Sequence, residues 1–129
     1  MNKRCVVSPN APPAAGPYSM AVAAGGFVFV SGQIALAPDG SGARKGTIED
    51  EARLALSNLR AVLEDAGSAM AHVVKTTVFL ADMADFGAFN EVYATFFPTD
   101  GPARSCVQAG RLPLDMKVEI EAIAVLPEA

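Results

Sequence analysis

Apolar and polar residues follow two different periods along this chain, and the change of period divides it into strands and helices. Arg4 to Ser8 reads as a short strand, stopped by Pro9-Asn10-Ala11-Pro12-Pro13, where successive prolines remove ladder donors. Gly16-Pro17-Tyr18-Ser19 prolongs that irregular passage and places Tyr18 on a loop. Met20 to Ala24 and Phe27 to Ile34 are apolar runs split by Gly25-Gly26, a pair suited to the positive φ angles of a tight hairpin turn. Gly32 marks a bulge or a close backbone approach near the end of the second run. Residues 37–46 are rich in Gly, Asp, Ser and Pro and read as a loop.

The period then lengthens. Ala52, Ala55, Leu56, Leu59, Leu63 and Ala66 recur at helical spacing, with Arg53, Asn58, Arg60 and Glu64 largely opposite. Thr47 and Asp50 resemble a capping box, Glu49, Asp50 and Glu51 bring negative charge to the positive helix end, and Gly67 is a C-terminal stop. His72 to Leu80, rich in Val, Thr and Phe, predicts a largely buried strand. Asp82 or Asp85 caps a second helix bearing Phe86, Phe89, Tyr93 and Phe96 or Phe97, closed by Pro98 and Gly101.

The last segment predicts a second hairpin centred near Leu112-Pro113. In its first arm Arg104, Cys106 and Gln108 share one face; in its second, Val118, Ile120, Ala122 and Ala124 leave Glu119 and Glu121 together on the other. Antiparallel pairing of the arms sets Cys106 opposite Glu119 and Arg104 opposite Glu121, with Glu119 one diagonal step from Arg104. The predicted fold is α+β: a mixed sheet with two helices stacked on one face. Val28, Val30, Ile123 and Val125 are then left on the far face, which self-association would cover.

At 129 residues the chain reads as one domain, 1–129, with no repeat or linker to divide it. Charges break every apolar run well short of the roughly 20 residues a membrane-spanning helix needs, and the N-terminus lacks a signal-peptide core, so a cytoplasmic protein is expected. The net charge of −4 offers no footprint for nucleic acid. Cys5 and Cys106 make no disulfide framework, and the lone His72, read as structural, leaves little for a metal site or a Ser/His triad. Arg, Glu, Tyr, Ser, Cys and backbone groups remain to carry any chemistry.

Gly16-Pro17-Tyr18-Ser19, Ser31-Gly32-Gln33-Ile34, Val74 to Leu80, Phe89-Asn90-Glu91-Val92-Tyr93, and above all Pro102-Ala103-Arg104-Ser105-Cys106 followed by Lys117-Val118-Glu119-Ile120-Glu121-Ala122 occur in fixed order. With that spacing the chain resembles the reactive-intermediate deaminase family (RidA/YjgF) over nearly its whole length. The resemblance implies a chorismate-mutase-like fold assembled as a homotrimer with sites between subunits. It also implies hydrolysis of 2-imino acids and their enamine tautomers, among them 2-iminobutanoate and 2-iminopropanoate/2-aminoacrylate, to 2-keto acids and ammonia, without metal or cofactor. Carried over by position, Arg104 looks like the carboxylate-binding arginine, and Glu119 rather than Glu121 like the residue that handles water. Tyr18, Ser31, Gly32, Asn90 and Cys106 match other substrate-binding cleft positions. Met20 stands where many members have Gln and Ala35 where many have Pro, and the passage from Phe97 to Pro102 is short; these departures bear on substrate range. The alternative is a protein of the same fold that binds a small carboxylate such as a keto acid without turning it over.

Overall fold

The computed structural model describes residues 2–127. Its strands are β1 (Arg4–Val6), β2 (Ala21–Ala24), β3 (Phe27–Gln33), β4 (Val73–Leu80), β5 (Ala103–Gln108) and β6 (Val118–Val125), and its helices are α1 (Ile48–Asp65) and α2 (Phe86–Phe96). The strands form one mixed sheet in the order β1-β2-β3-β6-β4-β5.

The Gly25-Gly26 turn is as expected: both glycines have positive φ, 60° and 84°, and Ala24 pairs with Phe27 across it. Helix α1 also matches its pattern. Thr47 Oγ1 accepts from the Asp50 amide at 3.1 Å. At the other end Gly67, at φ 92°, lets its own amide reach the Glu64 carbonyl and the Ser68 amide reach that of Leu63, a Schellman closure. Leu56, Leu59 and Leu63 are fully buried between the helix and the sheet, each contributing roughly 2 kcal/mol of apolar burial. The second helix starts differently. Asp82 caps a single 3-10 turn, Met83–Asp85, by accepting from the Ala84 amide, and Asp85 precedes α2 without a side-chain cap bond.

The terminal hairpin does not form. Strand β5 pairs with β4 in parallel, Thr76 opposite Arg104 and Val78 opposite Cys106, and β6 inserts between β3 and β4. Two causes combine. Helix α2 carries the chain back along the sheet, so β5 re-enters parallel to β4. The connection 109–117 is also longer than the two to five residues of ordinary hairpin loops. The strand with four buried apolar positions takes the centre, and the polar β5 takes the edge.

Both helices lie on one face, as predicted, over Val118, Ile120, Ala122 and Ala124 of β6 and Thr76, Val78 and Leu80 of β4. The assignment of β3 was inverted: Val28 and Val30 are buried on the helix side, and Phe27 and Phe29 occupy the open one. Phe27, Phe29 and Val107 are each at least 40% exposed there, with Ile123 and Val125 half-buried beside them. Among the described residues no helix is long and apolar enough to cross a membrane.

Candidate active site

The bulge in β3 begins the site. Pairing with β6 is regular to Val30–Ala122 and resumes at Gln33–Ile120, leaving Ser31 and Gly32 between. A Cβ on Gly32 would land on Glu119 Oε2, 2.8 Å from Cδ and 3.0 Å from Cγ. Gly32 is therefore where the Glu119 side chain lies against backbone, which explains glycine there without any need for positive φ. Ser31 donates through Oγ to the Ser19 carbonyl at 2.6 Å, and its amide bonds the Met20 carbonyl at 3.0 Å, so the bulge also holds the loop bearing Tyr18. The Tyr18 hydroxyl accepts from the Ala15 amide at 3.2 Å and keeps its proton free to donate.

Tyr18, Gly32 and Glu119 line a cleft of about 270 Å³ on the open side of the sheet, walled by Met20, Ile34, Leu36, Pro113, Leu114 and residues 12–15, with Ser31 supporting it from outside the lining. The Glu119 carboxyl titrates above the ordinary glutamate range, first because it is partly buried and second because Glu121 lies on the same face. A shift in this direction makes the carboxylate more basic than a free glutamate, which suits proton transfer at the cleft.

Beneath it is a support built on Glu51, read from the sequence only as charge at the helix end. Glu51, fully buried at the start of α1, accepts the Lys117 amide at 2.7 Å and the Gly46 amide at 3.3 Å; Lys117 Nζ reaches Glu51 at 3.5 Å and the Gly46 carbonyl at 2.7 Å. Lys117 is two residues before Glu119, so this network fixes where β6 begins. Asn58, expected on the solvent side, is buried and donates to the carbonyls of Ile34 and Leu36 at 3.2 and 2.9 Å, holding the cleft wall. Glu51, Ala55, Asn58 and Val62 form one buried stripe at helical spacing, a signal readable once polar residues are admitted to the inner face.

Arg104 lies elsewhere. It shares the helix side of the sheet with Thr76, and its guanidinium donates to Asn90 Oδ1 at 2.8 Å. It stacks 4.7 Å from the Tyr93 ring centroid and 5.5 Å from that of Phe86. The Tyr93 hydroxyl is in turn 2.8 Å from Thr76 Oγ1. Asn90, Tyr93 and Phe86 thus hold the guanidinium plane, and Asn90 is its one hydrogen-bond acceptor among the described residues, which leaves donors for a bidentate anion. Cys106 follows on the same side, packed against the core; its thiol is held above the usual range by burial, which the nearby Arg104 charge only partly opposes.

The expected neighbours are accordingly divided. Tyr18, Ser31, Gly32 and Glu119 come together on one face, Asn90, Arg104 and Cys106 on the other, and the pairing of Arg104 with Glu121 and of Cys106 with Glu119 is replaced by pairing of both strands with β4. Among the described residues no group of three His, Cys, Asp or Glu side chains is placed to hold a metal ion.

A mixed six-stranded sheet with two helices on one face defines an α+β fold shared with the crystal structure of Escherichia coli TdcF with bound serine. That structure superposes with a TM-score of 0.91 at 44% identity, covering 96% of this chain and 99% of that one. The family described as Endoribonuclease L-PSP matches residues 8–126, and the chain belongs to it. Its relatives include reactive intermediate deaminases. The mouse 2-iminobutanoate/2-iminopropanoate deaminase is 46% identical over 123 residues, 95% of this chain and 91% of its own length. The putative reactive intermediate deaminase TdcF of E. coli K12 is 45% identical over 126 residues, 95% and 97% of the two chains.

Proposed function

We propose that this protein hydrolyses 2-imino acids and their enamine tautomers to 2-keto acids and ammonia, in sites formed between protomers of a homotrimer. The observation that carries the reading is the division of the site: a held guanidinium with free donors at the sheet margin, and a cleft with a raised-pKa carboxylate on the opposite face. The apolar open face, with Phe27, Phe29 and Val107 exposed, favours covering by a second copy. Arg104 of one protomer would then face the Glu119 cleft of its neighbour. The names of the mouse and E. coli relatives support the reaction class.

In this mechanism Arg104 grips the substrate carboxylate through a bidentate fork and fixes the adjacent imine carbon. Glu119 takes a proton from water as the oxygen attacks that carbon. The tetrahedral intermediate then collapses: Glu119 returns its proton to nitrogen, the C–N bond breaks as the intermediate's hydroxyl gives up the second water proton, and the carbonyl forms while both protons leave with the nitrogen as ammonia. Imines already hydrolyse in water, so holding substrate and water together with one proton shuttle meets a modest demand. Tyr18 stands at the rim as a further donor. The family's name also carries an endoribonuclease activity, but a net charge of −4 and a single histidine, His72, favour neither an RNA backbone nor paired acid–base cleavage.

The test is subunit complementation. A pyridoxal-phosphate threonine dehydratase generates 2-iminobutanoate, and keto-acid formation is followed above the spontaneous rate. Wild type is expected to accelerate it, and Arg104→Ala and Glu119→Gln alone are not. Co-refolded in equal amounts, the two inactive proteins should regain activity in about a quarter of their sites, as random assembly of a shared site requires. Mixed oligomers without activity would refute the shared site, and a wild type without acceleration would refute the reaction.

A further inference from the structure

Leu114 stands out by three properties held together. Its backbone is left-handed, at φ 57° and ψ 23°, and Asp115 follows at φ 54°, a region that side chains other than Gly, Asn and Asp rarely adopt. Its side chain is 59% exposed, so in the protomer it gains little from burial. And it lines two cavities at once: the Glu119 cleft, and a neighbouring compartment of about 240 Å³ bounded by Ala37, Gly40 and Gly42. The two share Leu36, Leu114 and residues 12–15 as their common wall.

The loop holding Leu114 is secured on both sides. Leu112 and Met116 are buried anchors, and Arg111 forks onto Asp115 at 2.6 and 3.0 Å. The Asp115 amide bonds the Leu112 carbonyl and the Met116 amide that of Pro113. A strained backbone, fastened by its neighbours, thus presents an apolar side chain to the cleft instead of to the core. Strain of this kind persists where surrounding structure imposes it, and it concentrates at ligand sites.

We infer that Leu114 is a specificity-determining residue, the apolar end wall against which the substrate's side chain packs and the partition that keeps it out of the adjoining compartment. This rests on the functional reading above for the identity of the ligand as a 2-imino or 2-keto acid. The substrate class it selects is one with a short apolar side chain. Removing the leucine takes away contact with such a chain and joins the two spaces, so longer unbranched chains gain.

The experiment measures binding of 2-oxobutanoate and 2-oxohexanoate by titration calorimetry to wild type, Leu114→Ala and Leu114→Gly. Each methylene newly taken from water is worth roughly fourfold in affinity. The preference for 2-oxohexanoate over 2-oxobutanoate should therefore rise about tenfold or more in both variants. Alanine keeps the backbone strain and glycine releases it, so a shift seen with glycine alone would assign the effect to loop freedom and overturn the inference. So would an unchanged ratio in both, with the wild type binding both acids. Failure of wild type to bind either acid would instead remove the ligand class itself, and both readings with it.

Discussion

Replacing Gly32 by alanine tests the Glu119 assignment without touching the glutamate. The added methyl group would overlap Glu119 Oε2 and lie 2.8 and 3.0 Å from Cδ and Cγ, so the carboxylate must swing away. The obstacle is the far end of a flexible side chain, and Gly32 has no positive φ, so the main chain can accept the change. Reduced freedom of the unfolded chain stabilises such a substitution by roughly 0.4–1 kcal/mol. Forcing Glu119 toward a poorer rotamer costs about 0.5–1.5 kcal/mol. The two nearly cancel, and the melting temperature should move by no more than about 5 °C. Catalysis has no such compensation: a misplaced general base forfeits roughly 10²–10⁴ in rate. Keto-acid formation from 2-iminobutanoate should therefore fall to near the level of Glu119→Gln, and the double variant should be no worse than either single one, as expected for one shared interaction. A folded Gly32→Ala protein with the wild-type rate would refute the role given to Glu119 and the explanation given for the glycine.

Other perturbations separate support from chemistry. Because the folded protein raises the Glu119 pKa, it binds more protons than the unfolded chain between the ordinary glutamate range and that raised value, so Glu119 lowers stability as pH rises through this window. Glu119→Gln should flatten that part of a denaturant-midpoint profile, and the wild-type rate should rise with pH over the same window; a rate limb at ordinary glutamate pH would contradict both. Glu51→Ala leaves the Lys117 and Gly46 amides without their acceptor and should cost about 3 kcal/mol in urea unfolding, against almost nothing if the network is incidental. Cys106→Ser should keep most activity, since burial raises the thiol pKa and disfavours the thiolate, and iodoacetamide should label exposed Cys5 first; loss of activity in a folded Cys106→Ser protein would instead indicate a nucleophilic role.

Local pattern carried much of this fold, and non-local pairing did not. Helix α1 was legible from its apolar stripe and both ends, and the β2–β3 turn from two glycines, because each is decided within a few residues. The faces of β5 and β6 were legible too, since alternation alone sets which residues of a strand point together. What alternation does not encode is the partner. The parallel β4–β5 pairing depends on α2 returning the chain along the sheet, and the hairpin reading, which supplied an Arg104–Glu119 contact, failed for that reason. Gly32 could be marked as a bulge or close approach, but that the approaching atom belongs to Glu119 is a property of the β3–β6 register. Leu114 gave no warning at all, for an exposed leucine after a proline looks like any loop residue until its φ is known.

The same register explains why the two half-sites stay apart. Arg104 is opposite Thr76 on β4, and Glu119 is opposite Phe79 on the other side of that strand. Residues 76 and 79 differ by an odd number, so their side chains, and those of Arg104 and Glu119, leave the sheet on opposite faces. A one-residue slip of β6 would reverse this, but only by turning Val118, Ile120, Ala122 and Ala124 out of the core and Glu119 and Glu121 into it. A slip of β5 would turn Arg104 away from Asn90 and Tyr93, the groups that hold its guanidinium. The hydrophobic pattern that makes the protomer fold therefore also keeps its cation and its carboxylate from meeting. The proposed reaction, which needs both groups at one substrate, therefore calls for two copies of the chain, and the apolar open face is the surface proposed to join them.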